Sequence, residues 1–470
     1  MRLSCYFHSE KRLAMKRVDF SNGKTLQNIL QTMLPMLVAQ ILTLLYNIVD
    51  RIYIARIPEI GTAALGAVGL CFPLIILITA FTNLFGMGGA PLFAIERGRK
   101  NDAKAAEYMN TAFFLLITTA VVLTVLGEIA ARPVLFLFGA SGQAMSHALP
   151  YLRIYLLGTL FSMISTGMNP YITAQGFSLI GMTTVLIGAG ANILLDPLFI
   201  FTLGMGIRGA AIATVISQLF SSCFVLRFLF GKRADPRLRL LSVSDIRSCG
   251  RTAGAITGLG MASFIMMFTN SLVQICANSV LSHLGGDIYV SVMTIISSSR
   301  QVIETPILAI AEGTAPIISY NYGARKPEKV KEAGIIMWLL GLAYSLSVWL
   351  VMRARPEWFI SIFSSDRTIL TDAVPAFHLY FLAFIFMVFQ YGGQTMFKSL
   401  NKKKHAMFFS LFRKVIIVVP LTYLFPYALH MGTDGVFLAE PVSNIVGGLA
   451  CFITMLLTVT PELRSMRQEG

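Results

Sequence analysis

Gly88-Gly89-Ala90-Pro91, followed by Gly98, Lys104 and Glu107, returns as Gly313-Thr314-Ala315-Pro316, followed by Gly323, Lys329 and Glu332, at a constant offset of 225 residues. A second pattern behaves alike. Gly206-Ile207-Arg208-Gly209 with Ala213 and Ser217 returns as Gly432-Thr433-Asp434-Gly435 with Ala439 and Ser443, offset by 226. Two matches at nearly one spacing mark an internal duplication, to be read before any single motif. In a chain of 470 residues each copy fills about half, so one plan is used twice.

The copies are built from apolar segments. Hydrophobic residues make up 55% of the chain and charged residues 13%, and mean hydropathy is +0.70; an ordinary soluble protein carries about 25% charged residues. Runs long enough to cross a bilayer fall near 28–53, 63–92, 108–130, 148–171, 178–201, 207–230, 254–281, 288–318, 332–352, 374–397, 406–428 and 434–457. Six runs lie in each copy, and an even number leaves both copies pointing the same way through the membrane. The predicted fold is an all-α polytopic membrane protein: twelve transmembrane helices as two parallel six-helix repeats around a central cleft, one of the recurrent transporter plans. The expected division is a basic tail over 1–26, a first lobe over 27–230, a basic linker over 231–253, a second lobe over 254–457 and a tail over 458–470.

Charge placement supplies the orientation. Thirty-eight Lys and Arg against twenty-three Asp and Glu give +15, an excess that in a soluble protein would suggest nucleic acid. Here the basic residues sit between the apolar runs. With the N-terminus inside, the inner segments hold 26 and the outer ones seven, which predicts both termini in the cytoplasm of a multi-pass protein of a bacterial cell membrane. The first 26 residues have basic groups and no apolar stretch of the signal-peptide kind, and Met15 before Lys16 and Arg17 offers an alternative start. Six scattered cysteines without a C-x-x-C pair form neither a disulfide framework nor a zinc site.

Soluble chemistry has no foothold. There is no G-x-x-x-x-G-K-[ST], no H-E-x-x-H and no G-x-S-x-G, so catalysis is the weaker reading and ion-coupled transport the stronger. Acids inside apolar spans are costly and therefore functional candidates. Asp50 lies about 28 Å along the first span and Asp196 about 26 Å along the fifth, at 1.5 Å per residue. Asn47 stands at i, i+3 from Asp50, Asn192 at i, i+4 from Asp196, and Thr214 in the returning sixth span reaches a similar depth. Pro197 frees the carbonyl of Ile193. Together these make an oxygen-rich pocket for a hard cation or a proton.

The second copy holds Glu304 and Glu312 in the eighth span, and Glu440 at the repeat position of Thr214. Carboxylates facing a cleft would attract a lipophilic cation. Glu304 is also placed to pair with Arg300, while Arg413 and Lys414 are expected near the inner end of their span, serving packing or lipid contact. Met163, Met168 and Met293, with Tyr391, are candidates for an adaptable cargo surface, since methionine is unbranched and polarizable.

The runs Tyr46-Asn47-Ile48-Val49-Asp50-Arg51, Gly66 to Leu70, Asn192-Ile193-Leu194-Leu195-Asp196-Pro197, Gly206-x-x-Gly-Ala-Ala and Pro316-Ile317-Ile318-Ser319-Tyr320-Asn321-Tyr322-Gly323-Ala324 together resemble the MATE (multidrug and toxic compound extrusion) family, from about residue 26 to 460. The resemblance implies an antiporter that exports cationic amphiphilic drugs in exchange for Na+ or H+, with no cofactor beyond that ion. It places the ion on Asp50, Asn192, Asp196 and Thr214. The seventh span, Gly254 to Leu281, has no acid, which resembles the branch coupled through the first lobe. Drug-like cations and membrane lipids are the expected partners of a monomer. The alternatives are a flippase of lipid-linked saccharides and an intramembrane enzyme.

Overall fold

The computed structural model describes residues 17–140, 142–241, 249–363 and 367–468. Cys5, the Met15 start and most of the basic tail lie outside them, as does the middle of the expected linker. Fifteen helices are described: α1 Thr25–Ala55, α2 Gly61–Gly98, α3 Asp102–Leu137, α4 Gly142–Leu157, α5 Thr159–Ala174, α6 Ser178–Thr202, α7 Gly206–Leu229, α8 Gly250–Gly286, α9 Ile288–Gly323, α10 Pro327–Ala354, α11 Pro356–Ile360, α12 Arg367–Tyr380, α13 Met387–Ser399, α14 Lys403–Ala428 and α15 Gly432–Gln468. Ten are long and apolar enough to cross a membrane, and two bent pairs bring the spans to twelve. The pairs are α4/α5, bent by 53°, and the α12 and α13 stretch, bent by 46°. Both are the fourth span of their copy, so the duplication extends to a kink that hydropathy does not mark.

The backbone repeats in finer detail. Positive φ occurs at Glu59 and Gly286, Lys100 and Arg325, Gly176 and Asn401, Gly204 and His430, and Gly206 and Gly432, five pairs offset by 225 to 227 residues. Such left-handed residues end helices. The partners of the other two, Gly23 and Gly139, fall outside the described residues. Widened π-helical turns also recur, at Leu198–Thr202 and Leu424–Ala428. The first begins directly after Pro197, which has no N–H to continue the regular ladder. A further π segment, Phe412–Val418, has no counterpart in the first copy.

The described residues form two compact units, one of those up to Phe20 with those of Leu34–Gly260, the other of Ser21–Met33 with those from Met261 on. The boundaries differ from the expected lobes: the break falls inside α8, and the first turns of α1 belong with the later residues. Each unit is closed by the repeated motif. In the first, Gly88 of α2 lets α8 pass, for a Cβ there would stand 2.7 Å from the Gly260 Cα. Thr252 donates to Glu107, which Lys104 meets at 2.8 Å. In the second, Gly313 of α9 gives the same clearance to the Met33 backbone, the Thr32 hydroxyl donates to the Gly313 carbonyl at 2.8 Å, and Thr25 donates to Glu332 at 2.6 Å.

Phe93, Leu116, Leu152 and Tyr171 are fully enclosed in the first unit, and Leu281, Ile296, Phe377 and Phe437 in the second. Large apolar side chains left uncovered, such as Leu126, Ile129, Phe136 and Leu137 on α3, suit a surface solvated by lipid.

Candidate functional site

In the first unit the carboxyls of Asp50 on α1 and Asp196 on α6 lie within hydrogen-bonding reach of each other. Asp196 is completely buried. The Asn192 amide, one turn earlier on α6, donates to Asp196 Oδ1 at 3.1 Å and points toward Thr214 Oγ1 of α7 at 3.5 Å. The Thr214 hydroxyl donates to the Ala210 carbonyl at 3.0 Å, leaving its lone pairs toward Asn192. Tyr46 of α1 and Tyr155 of α4 lie near enough to feel the charge of Asp50, and Tyr151 of α4 that of both carboxyls.

The acceptor balance defines the site. Asp50 Oδ1, Asn192 Oδ1 and Asp196 Oδ2 are all buried and meet no hydrogen-bond donor. Buried oxygens normally have partners, and two carboxylates this close repel one another unless a proton or cation lies between them. Carboxylate, amide and hydroxyl oxygens are the ligands of hard cations. Among the described residues no three His, Cys, Asp or Glu gather as a transition-metal site.

Four of the five sequence candidates thus meet. The fifth, Asn47, is exposed. The three tyrosines near the carboxyls are an addition to the sequence candidates, although Tyr46 sits at i, i+4 from Asp50.

The second unit differs from expectation more sharply. Glu440 on α15 is not a free carboxylate. Its Oε1 accepts from Arg300 of α9 at 2.8 Å, Arg413 of α14 at 3.2 Å and Lys414 at 3.0 Å. Glu304 pairs with Arg300, as expected, and accepts from the Tyr391 hydroxyl at 3.0 Å. Of the two roles expected for Arg413 and Lys414, packing and not lipid contact is the one observed, since both are buried and ion-paired. Glu312, about 12 Å along α9 from Glu304, stands instead within electrostatic reach of Lys398. Met163 and Met168 on α5 are fully buried, and Met293 nearly so. They fill the packing of their own units and line no open surface, because an apolar side chain in a tight bundle gains more from close contact than from exposure.

A family model described as MatE matches residues 35–198 and again 262–424, one match per copy. Among curated proteins, the multidrug export protein MepA of Staphylococcus haemolyticus is 23% identical over 357 residues, spanning 75% of this chain and 77% of that one. An FAD transporter of Shewanella oneidensis is 23% identical over 439 residues, spanning 90% and 93%. Among solved structures, a multidrug resistance MATE family transporter of the MOP superfamily, in an outward-facing conformation, superposes with a TM-score of 0.87 at 25% identity, over 96% of this chain and 99% of that one. MATE in complex with MaD3S superposes at 0.88 and 24%, with the same coverage.

Proposed function

Since the chain belongs to the MatE family, we propose that it is a secondary antiporter of the cell membrane, exporting drug-like organic molecules in exchange for Na+ or H+ taken up by Asp50 and Asp196. The observation that carries this reading is the set of three buried oxygens, on Asp50, Asn192 and Asp196, that meet no donor. They form an acceptor-rich site that an incoming cation or proton satisfies. Occupation removes the repulsion between the two carboxylates, so α1, α6 and α7 pack differently with and without the ion. An ion drives export only if it and the cargo favour different packings, and the resulting antagonism is typically about 1–3 kcal/mol. The basic excess in the segments assigned to the inside supports cytoplasmic termini. The relatives' names, one for multidrug export and one for FAD transport, agree on an organic cargo and differ in its chemistry.

The test is ethidium efflux in inverted membrane vesicles, with sodium and pH gradients imposed separately. Wild-type protein responds to one of the two. Asp50→Asn and Asp196→Asn, which keep shape and remove charge, lose that response by at least tenfold at unchanged protein level. Full gradient-driven efflux in both variants would eliminate the assignment.

A further inference from the structure

Around Glu440 in the second unit, basic side chains outnumber acidic ones. Arg300, Arg413 and Lys414 face only Glu304 and Glu440 among the charged groups described around them. All three cations converge on one oxygen of Glu440, and Lys414 reaches its second oxygen at 3.2 Å. The remaining neighbours are neutral: Asn444 accepts from Arg413, and the Tyr380 hydroxyl takes Arg300 at 2.7 Å. A surplus buried cation is unfavourable unless an anion compensates it or it gives up its proton.

Backbone geometry points the same way. Consecutive residues of an α-helix diverge by about 100°, yet Arg413 and Lys414 both reach Glu440. They do so from the π segment Phe412–Val418, a widening that recurs at functional positions in helices and that the first copy lacks. Every charge of the cluster is likewise new to this copy. At the offsets of the repeat, Arg300, Glu304, Arg413, Lys414 and Glu440 correspond to Ile75, Thr79, Ile187, Gly188 and Thr214. The least covered edge of the cluster is at Arg300 and Glu304, whose side chains are 14% and 11% exposed, with Tyr380 and Tyr391 bonded to them.

We propose that this cluster binds an anionic group, a carboxylate or a phosphate ester, carried by the transported molecule. The inference rests on the transporter reading and names its cargo class: an organic molecule bearing a negative charge, where the sequence alone suggested a cation. Glu440 acts as an internal stand-in, holding the three cations together until the cargo's anion shares them.

The experiment is equilibrium binding of carboxyfluorescein, followed by anisotropy, to the full-length protein in nanodiscs of phosphatidylcholine. Wild-type protein binds the dye. Lys414→Met weakens binding at least tenfold, Lys414→Arg restores it to within about threefold, and Glu440→Gln, which frees the cations, strengthens it. Size-exclusion profile and melting temperature establish that each variant is folded. A structural role for Lys414 predicts the opposite sign at Glu440, because losing that carboxylate would loosen the site. No binding by wild type overturns the proposal, as does equal binding by Lys414→Met. Lys414-dependent retention of phosphatidylglycerol without dye binding also overturns it, assigning the cluster to lipid headgroups. Equilibrium binding draws on no ion gradient, so its outcome stands apart from that of the efflux experiment.

Discussion

Asp196 and Glu440 are both carboxylates sunk in apolar helices, and their surroundings give them opposite roles. Asp196 has a second carboxyl, an amide and a hydroxyl around it, so it lacks positive charge. Glu440 has three cations, so it supplies the negative charge its neighbours lack. Removing one partner of a buried ion pair typically costs about 3–5 kcal/mol, which is why Lys414→Arg accompanies Lys414→Met. Met163 and Met168 belong to a different class of buried residue, since their energy is in packing. Replacing either by Ala should cost about 2 kcal/mol or more and lower the melting temperature without altering the range of exported dyes. A changed dye range at unchanged melting temperature would put them on the transport path instead.

The elements are governed by where two backbones approach. At Gly88 an added Cβ would lie 2.4 Å from the Ile256 carbonyl oxygen, and at Gly313 it would lie 2.7 Å from the Met33 Cα. Neither neighbour is a flexible side-chain tip, so Gly88→Val and Gly313→Val should each abolish folded yield, measured by size-exclusion chromatography. Gly254→Ala on α8, where nothing stands within 4 Å, should be neutral or stabilise by up to about 1 kcal/mol, as Ala is the better helix former. Wild-type yield from both valine variants would show that the glycines are not required for clearance. The repeated glycine was legible as a motif, but its partner was not. Hydropathy reports how deep a turn lies in the bilayer and carries no record of which bundle it joins, so the placement of Ser21–Met33 with the later residues had no sequence signal. The π segment was hidden for a related reason: a regular helix would turn Arg413 and Lys414 to different faces, and no residue pattern announced that the helix widens.

At the scale of the whole molecule, the duplicated plan was readable because it is written twice, in glycine and proline positions that the backbone needs. The acid pair was readable because acids are rare in apolar spans, and Asp50 and Asp196 needed no partner to attract notice. The second-unit cluster was only half readable: its five members were visible, and their pairing depended on three-dimensional proximity. The two copies segregate charge, with an acid pair in one and an excess of basic side chains around Glu440 in the other. That segregation has an electrical consequence. If one Na+ or H+ enters as one singly negative molecule leaves, two elementary charges move inward per cycle, and each is worth about 2.3 kcal/mol per 100 mV of membrane potential. A singly positive molecule exchanged one for one moves none. In proteoliposomes, a valinomycin-set potential of the driving sign should therefore accelerate carboxyfluorescein transport and leave ethidium transport unaffected, whereas equal responses of the two dyes would mean that cargo charge does not enter the cycle.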